Sequence, residues 1–201
     1  MTRRRPHTLH YILFNKPLGV LSQFTPEAGR MSLSEFGPFP GEVYPAGRLD
    51  AESEGLLLLT NDNTIKHRLT EPRHSHPRTY LVQVERVPDT ESLNTLRSGV
   101  VIEGRTTRPA DVHLLQTEPA LPPRPVEIRF RKSVPTAWLE ITLREGRNRQ
   151  VRKMTAAVGH PALRLVRVRI GNLSLEGLKP GESRRLKPAE IRSLKKGLQI
   201  L

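Results

Sequence analysis

The sequence contains no cysteine, and this absence restricts the chemistry open to the protein. Without thiols there are no disulfides, thiolate zinc sites, iron–sulfur clusters or cysteine nucleophiles. Apolar runs are short as well, and none reaches the roughly 18 residues that a membrane-spanning helix needs. The charged N-terminus lacks the apolar segment of a secretory signal. We therefore expect a cytoplasmic protein whose reactive groups are oxygen and nitrogen atoms.

Acidic residues are few in comparison with basic ones. The 201 residues include 33 Lys and Arg but only 20 Asp and Glu, which gives a net charge of +13. Such a positive field attracts polyanions, and nucleic acid is the leading class of partner. A membrane-surface protein can carry similar charge, but no basic amphipathic helix with bulky apolar residues opposite is present. The length allows one domain or two lobes that share a core.

The spacing of apolar residues predicts strands and helices between basic tails at residues 1–6 and 188–201. The predicted strands are 11–15, 55–60, 80–84, 138–143 and 166–170, and the predicted helices are 89–98 and 149–158. Asp89 and Asn148 are the expected helix N-caps. In the last strand Arg167 and Arg169 alternate with apolar residues, which predicts an apolar inner face and a basic outer face.

The segment Gly47–Gly55 places three carboxylates immediately before a strand that we predict to be buried. Loops at strand ends commonly carry functional groups. A calcium loop is one alternative, because Asp50, Glu52 and Glu54 match its first ligand positions. Asn61, however, stands where the bidentate Glu belongs, and leucines fill the intervening ligand positions. Taken alone, Asp50 would most often cap a turn.

The segment Arg144–Met154 carries five cations and one anion at the predicted start of a helix. The N-terminal turn of a helix favours acidic residues, because the positive end of the helix dipole lies there. Arginines at this position cost stability, and an anionic partner would explain them. A solvated basic helix face explains the same pattern equally well when the segment is considered alone.

Together these segments resemble one known family, the RsuA/RluB/RluE/RluF family of ribosomal RNA pseudouridine synthases. The resemblance runs from about Tyr11 to Leu186 and rests on the following motifs: Asn15–Gly19, Gly47–Asp50, Gly55–Asp62, Arg78–Tyr80 and Glu145–Met154. Arg78 stands where the family often has Lys, and Asn63 stands where it often has Gly. The Asn15 motif leaves no room for a preceding S4-type RNA-binding domain, which points to the RluE-like branch.

The resemblance implies an α+β fold, with a mixed and mostly antiparallel sheet, flanking helices and a basic cleft, in a catalytic domain of two lobes over residues 7–187. It also implies conversion of uridine to pseudouridine in 23S rRNA by a monomeric enzyme without cofactor, metal or obligate protein partner. Asp50 is then the catalytic carboxylate, Arg152 its ion-pair partner, and Tyr80 the ring that stacks on the flipped-out uridine.

By the same resemblance a set of polar and basic residues contacts the RNA. These residues are Lys16, Arg48, Arg78, Arg147, Asn148, Arg149, Gln150, Lys153, Arg167 and Arg169. The sequence leaves open whether the carboxylate attacks the base or the sugar. It also leaves two alternative functions: a non-catalytic rRNA-binding or ribosome-assembly factor, and a synthase that acts on 16S rRNA or tRNA. We assign no catalytic role to His74 and His76.

Overall fold

The computed structural model describes residues 8–27, 29–124, 126 and 134–200, so the tail expected at residues 1–6 lies outside the described residues. Within these ranges there are four α-helices: α1 (Asn63–Thr70), α2 (Thr90–Ser98), α3 (Gln150–Ala157) and α4 (Pro188–Gly197). The strands in the same ranges are β1 (Tyr11–Lys16), β2 (Tyr44–Pro45), β3 (Glu54–Thr60), β4 (Arg78–Glu85), β5 (Val101–Ile102), β6 (Arg105–Thr106), β7 (Asp111–Leu114), β8 (Thr136–Leu143), β9 (Ala162–Ile170), β10 (Leu173–Ser174) and β11 (Ser183–Arg185).

Nine of these strands form one sheet, with the main order β11-β1-β3-β9-β4-β8-β7. β2 adds to β3 and β10 adds to β9, while β5 and β6 form a separate hairpin. β3 and β9 pair in parallel, and the other strand pairs are antiparallel. This mixed, mostly antiparallel sheet with flanking helices confirms the predicted α+β class.

β3 is buried along its entire length, as its four consecutive leucines predict. Leu56 and Leu58 face a core that includes residues of α1 and α4, whereas Leu57 and Leu59 face a second core on the other side of the sheet. Full burial of one such side chain contributes about 1.5–3 kcal/mol. β3 is therefore a fixed base for the loop that precedes it, where Asp50 lies.

Gly55 explains how closely β3 and β9 approach at the start of β3. Its φ is +105°, and an added Cβ would lie 2.3 Å from the main-chain oxygen of Arg167. A larger residue would separate the two strands at their parallel register, in which Gly55 is opposite Arg167. The glycine thus brings the Asp50 loop close to the middle of β9.

The predicted basic tail from residue 188 onward is wrong, because residues 188–197 form α4. Leu194 and Leu198 of this segment are buried in the core beneath the sheet. Arg184 of β11 donates hydrogen bonds of 2.8 and 2.9 Å to the Glu190 carboxylate, which fixes the first turn of the helix. The segment is rich in lysine, but its apolar residues Ile191, Leu194 and Leu198 have the spacing of one face of a helix.

Candidate active site

A cleft of about 770 Å³ opens beside the Asp50 loop, on the face of the sheet where β4 and β9 meet. Most of the predicted site residues line it: Arg48, Asp50, Arg78, Tyr80, Arg147, Asn148, Arg149, Gln150 and Arg167. Lys16, Arg152, Lys153 and Arg169 are not among the lining residues. The volume falls within the range of pockets that hold small molecules.

Hydrogen bonds and packing hold the Asp50 loop in place. The Leu49 side chain is buried, and the Leu49 amide donates to Ser22 Oγ at 3.0 Å while Ser22 Oγ donates back to the Leu49 carbonyl at 2.8 Å. The Ser53 amide donates to the Asp50 carbonyl at 3.0 Å, which closes the turn. Asp50 keeps a side chain that is 37% exposed, so its carboxylate is open to the cleft.

Lys16 does not reach solvent, and this contradicts the expectation that it contacts RNA phosphates. It is fully buried, and Nζ donates to the carbonyls of Pro17, Val20 and Ala51 at 2.9, 2.7 and 3.3 Å. Burial lowers the pKa of Lys16 to about 8, although Glu54 and Asp50 act in the opposite direction. Because one of the three carbonyls belongs to the residue after Asp50, Lys16 supports the Asp50 loop from beneath.

Arg149 is the cation that approaches Asp50 most closely among the described residues. Its Nη1 lies 3.7 Å from Asp50 Oδ2 and 2.8 Å from Glu52 Oε2. Arg149 is also the N-cap of α3, with left-handed backbone angles of φ 51° and ψ 33° and no side-chain capping bond. The predicted cap, Asn148, instead accepts a hydrogen bond from Lys153 Nζ at 3.3 Å.

Arg152 does not form the expected ion pair with Asp50. Its Nη2 donates to the Glu52 carbonyl at 3.0 Å, and its Nη1 donates to the Ala162 carbonyl at 3.1 Å. Burial lowers the pKa of Arg152, while the charges of Glu52 and Asp50 oppose this shift. Arg152 therefore acts on Asp50 through space, and it anchors the loop that carries Asp50.

Tyr80 and Arg167 lie opposite each other on β4 and β9. Tyr80 is half-buried and its side chain lines the cleft. Arg167 is buried, with Nε donating to the Leu56 carbonyl at 2.8 Å. Burial lowers the pKa of Arg167, and its interaction with Tyr80 opposes this shift. The prediction that Arg167 lies on an outward-facing basic surface is therefore wrong: Arg167 is buried at the base of the cleft, next to Tyr80.

An irregularity in strand pairing explains why Arg167 and Arg169 differ. Thr79 pairs with Arg169 but Tyr80 pairs with Arg167, so Val168 is an extra residue in β9. Such a bulge interrupts the alternation of side chains along a strand. Arg169 is exposed as predicted, whereas Arg167 points into the protein.

Several other predicted RNA-binding residues already have protein partners. Arg78 Nη2 donates to the Leu69 carbonyl, and Arg147 donates to the carbonyls of Ile102 and Arg105 at 3.0 and 3.2 Å. These bonds hold the cleft wall and the β5–β6 hairpin in place.

Two more residues of the segment before and within α3 are held in the same way. Gln150 Nε2 donates to Glu145 Oε1 at 2.6 Å, and Lys153 Nζ donates to Glu103 Oε1 at 2.6 Å. Arg48, Asn148 and Arg149 remain exposed along the cleft.

Two residues of the cleft, Glu52 and Arg30, have no role predicted from the sequence. Glu52 belongs to the acidic segment but had no role assigned, although its position two residues after Asp50 was a usable signal. Arg30 also lines the cleft, and it lies in a loop without a motif. Within the part of the chain that the structure describes, no group of three or more His, Asp or Glu side chains could hold a metal ion.

His74 and His76 lie away from the cleft lining. Burial lowers the pKa of His76 to about 4, with the nearby Arg78 charge acting in the same direction. Of the helices in the described ranges, none is long and apolar enough to cross a membrane.

Comparisons with known proteins agree with this fold. Residues 10–157 match the RNA pseudouridylate synthase family. The chain is 57% identical over 175 residues to ribosomal large subunit pseudouridine synthase E of Xanthomonas campestris, covering 86% of this chain and 93% of the relative. A relative of the same name from Vibrio vulnificus is 52% identical over 171 residues, covering 85% of this chain and 72% of the relative.

A solved structure is similar as well. The crystal structure of a pseudouridylate synthase matches with a TM-score of 0.77 and 30% identity, covering 93% of this chain and 74% of that one. The chain therefore belongs to the RNA pseudouridylate synthase family.

Proposed function

We propose that this protein converts a specific uridine to pseudouridine in the 23S rRNA of the large ribosomal subunit, with Asp50 as its catalytic carboxylate. Membership of the family supports the reaction. The names of the relatives, ribosomal large subunit pseudouridine synthase E, support 23S rRNA over 16S rRNA or tRNA. The observation that carries the assignment of Asp50 is a partly exposed carboxylate, 3.7 Å from an arginine, in a basic cleft.

The reaction is an isomerisation that balances without an oxidant, a reductant or a metal. The bond from ribose C1′ to uracil N1 breaks, a bond from C1′ to C5 forms, the C5 proton leaves and N1 gains a proton. An ionised carboxylate can stabilise the positive charge that develops on the sugar, or form a covalent intermediate, as in glycoside chemistry. Arg149 and Arg152 place positive charge next to Asp50, on the side of the cleft where this carboxylate lies.

Tyr80 is proposed to stack on the uracil ring. The target base must leave its stack, which costs a few kcal/mol, and stacking on an aromatic ring offsets much of this cost. The half-buried position of Tyr80 in the cleft wall supports this role, because the strand limits its movement. We also propose that its hydroxyl assists removal of the C5 proton.

Contacts with the RNA backbone are proposed for the exposed residues Arg48, Asn148, Arg149 and Arg169. Arg30 joins this set because it lines the cleft. Arg78, Arg147, Gln150 and Lys153 are proposed to shape the binding surface through their bonds within the protein. Affinity should fall steeply with salt, because phosphate contacts release counterions from the RNA.

We further propose that the protein acts as a monomer in the cytoplasm, without an obligate protein partner. The field expected from a net charge of +13 supports direct recruitment to rRNA. Light scattering of the purified protein, alone and with an rRNA fragment, tests this. A single protomer per RNA is the expected result, and a stable dimer would contradict it.

The central test is incubation of transcribed 23S rRNA with wild type and with Asp50→Asn, followed by mapping of pseudouridine. We expect the variant to bind RNA while product formation falls by at least about a hundredfold. Asp111→Asn is the matched control, because Asp111 is an exposed aspartate paired with Arg144 outside the cleft lining. Product that survives Asp50→Asn would refute the assignment of Asp50. RNA binding by wild type without any product would instead favour a non-catalytic rRNA-binding factor.

A further inference from the structure

Glu52 contacts both arginines that act on Asp50. Its carboxylate accepts a hydrogen bond from Arg149 at 2.8 Å, and its main-chain carbonyl accepts one from Arg152 at 3.0 Å. The Arg149 nitrogen that binds Glu52 is the same Nη1 that lies 3.7 Å from Asp50. Arg149 is thus bonded to Glu52 and only near to Asp50.

The surroundings of the Glu52 carboxylate are strongly positive. Its pKa is lowered by the hydrogen bond from Arg149 first, and the charges of Arg149, Arg152 and Arg30 act in the same direction. Arg149 and Arg30 both line the cleft with Glu52. Arg149 bonds the Glu52 carboxylate, Arg152 bonds the Glu52 main chain, and Arg30 acts through its charge while it also pairs with Glu27 at 3.4 Å. Guanidinium groups are well suited to bind an anion with two acceptor oxygens.

A carboxylate at this position is unfavourable for binding RNA, because it repels phosphate. The Glu52 side chain is 62% exposed, so it can swing away from Arg149 without disturbing the core. A phosphodiester carries one negative charge and two free oxygens, which matches what Glu52 presents to Arg149. A phosphodiester can therefore take the place of Glu52 on Arg149.

We infer that Arg149 and Arg30 form a subsite for an RNA phosphodiester next to Asp50, and that Glu52 occupies this subsite when RNA is absent. The inference rests on the proposed function, since the phosphodiester is one that flanks the target uridine. It assigns Glu52 a role as an internal competitor of the RNA backbone. It also makes Arg149 the residue through which that competition acts.

The test is a double-mutant cycle on RNA affinity with Glu52→Gln, Arg149→Gln and both changes together. Glu52→Gln keeps the size of the side chain and removes its charge, so we expect the dissociation constant to fall by roughly two- to fivefold at low salt. In the Arg149→Gln background the same change should have little effect. The matched control is Glu103→Gln, which neutralises another exposed carboxylate, bound to Lys153 at 2.6 Å.

The possible results separate the explanations. Tighter binding by Glu52→Gln than by Glu103→Gln, lost in the Arg149→Gln background, supports the subsite. Three results would overturn it. The two glutamine variants could change RNA affinity equally, the increase in affinity could persist in the Arg149→Gln background, or Glu52→Gln could bind RNA more weakly than wild type. Thermal unfolding of each variant shows that the fold is kept. Pseudouridine mapping with wild type runs in parallel, so an inactive wild type counts against the proposed function and not against the subsite.

Discussion

Arg149 Nη1 lies 3.7 Å from Asp50 Oδ2, although Arg149 adopts a left-handed backbone conformation that residues other than glycine rarely take. This conformation costs about 1 kcal/mol or more, and such strain is often found at functional sites. Here the strained backbone lies at the start of α3 and directs the guanidinium to Glu52 and Asp50. The backbone conformation of Arg149 therefore determines where its guanidinium lies relative to the carboxylate of Asp50, which belongs to another segment.

The first prediction separates the backbone of Arg149 from its side chain. Arg149→Gly removes the charge and relieves the left-handed strain, whereas Arg149→Ala removes the charge and keeps the strain. We expect Arg149→Gly to be more stable than Arg149→Ala by about 1 kcal/mol in urea unfolding. Both variants should lose kcat/KM by a similar factor. Equal stability of the two would mean that the backbone conformation at this position carries no strain.

The second prediction concerns Lys16. In the folded protein, burial lowers the pKa of this lysine from 10.5 to about 8. Because the folded pKa is the lower one, the unfolded chain binds the proton more tightly between these pH values. Unfolding therefore takes up a proton there, and the contribution of Lys16 to the free energy of unfolding rises as pH increases from about 8 to 10.5.

Urea unfolding of wild type and Lys16→Met between pH 7 and 10.5 measures this effect. The stability of wild type relative to Lys16→Met should increase over that range by on the order of 1–3 kcal/mol. Other alkaline titrations are common to both proteins and cancel. Lys196→Met is the control, because Lys196 is exposed on α4. A difference that does not vary with pH would show that Lys16 keeps its ordinary pKa in the fold.

The third prediction tests α4 as a packed helix. Leu194 is 1% exposed, and Leu194→Ala should lower the free energy of unfolding by about 2–4 kcal/mol with an unchanged denaturant slope. Lys196→Ala, on the exposed part of the same helix, should change it by no more than about 0.5 kcal/mol. If the two variants were equally stable, the segment would behave in solution as the tail predicted from composition.

These residues show how far sequence reasoning extends. The leucines of β3 and the Asp50 loop were predictable, because a short apolar run between turn residues has few alternatives. The burial of Lys16 was not predictable. Lysines are usually exposed, and the three carbonyl groups that Lys16 contacts belong to residues up to 35 positions away in the chain. The predicted orientation of Arg167 was wrong because of a one-residue bulge at Val168. Apolar and basic residues still alternate through this bulge, so the sequence gives no sign of it.

The identity of the cation next to Asp50 is a further limit. Arg149 and Arg152 are three residues apart, and family resemblance favoured Arg152. Which of the two arginines lies next to Asp50 depends on the left-handed turn at Arg149 and on the Glu52 carbonyl that binds Arg152. Neither feature can be predicted from the residue types.

The fourth prediction separates two proposed roles of Tyr80. Tyr80→Phe keeps the ring, so RNA affinity should stay within about threefold of wild type, because stacking depends on the ring face. It removes the hydroxyl, so we expect kcat to fall by at least about tenfold if that group assists removal of the C5 proton. Tyr80→Leu removes the ring as well and should lose both affinity and kcat, since stacking contributes about 1–3 kcal/mol per base.

Release of tritium from rRNA labelled at uridine C5 measures turnover, and filter binding measures affinity on the same RNA. The hydroxyl also lies near buried Arg167, and its loss could act through stability alone. Unfolding of Tyr80→Phe is therefore measured in parallel, and activity is compared at a temperature where all variants are folded. A folded Tyr80→Phe with wild-type kcat would remove the hydroxyl from the chemistry and leave Tyr80 as a stacking platform. A Tyr80→Leu variant with wild-type affinity would contradict the stacking role, because the aromatic ring would be absent without any loss of RNA binding.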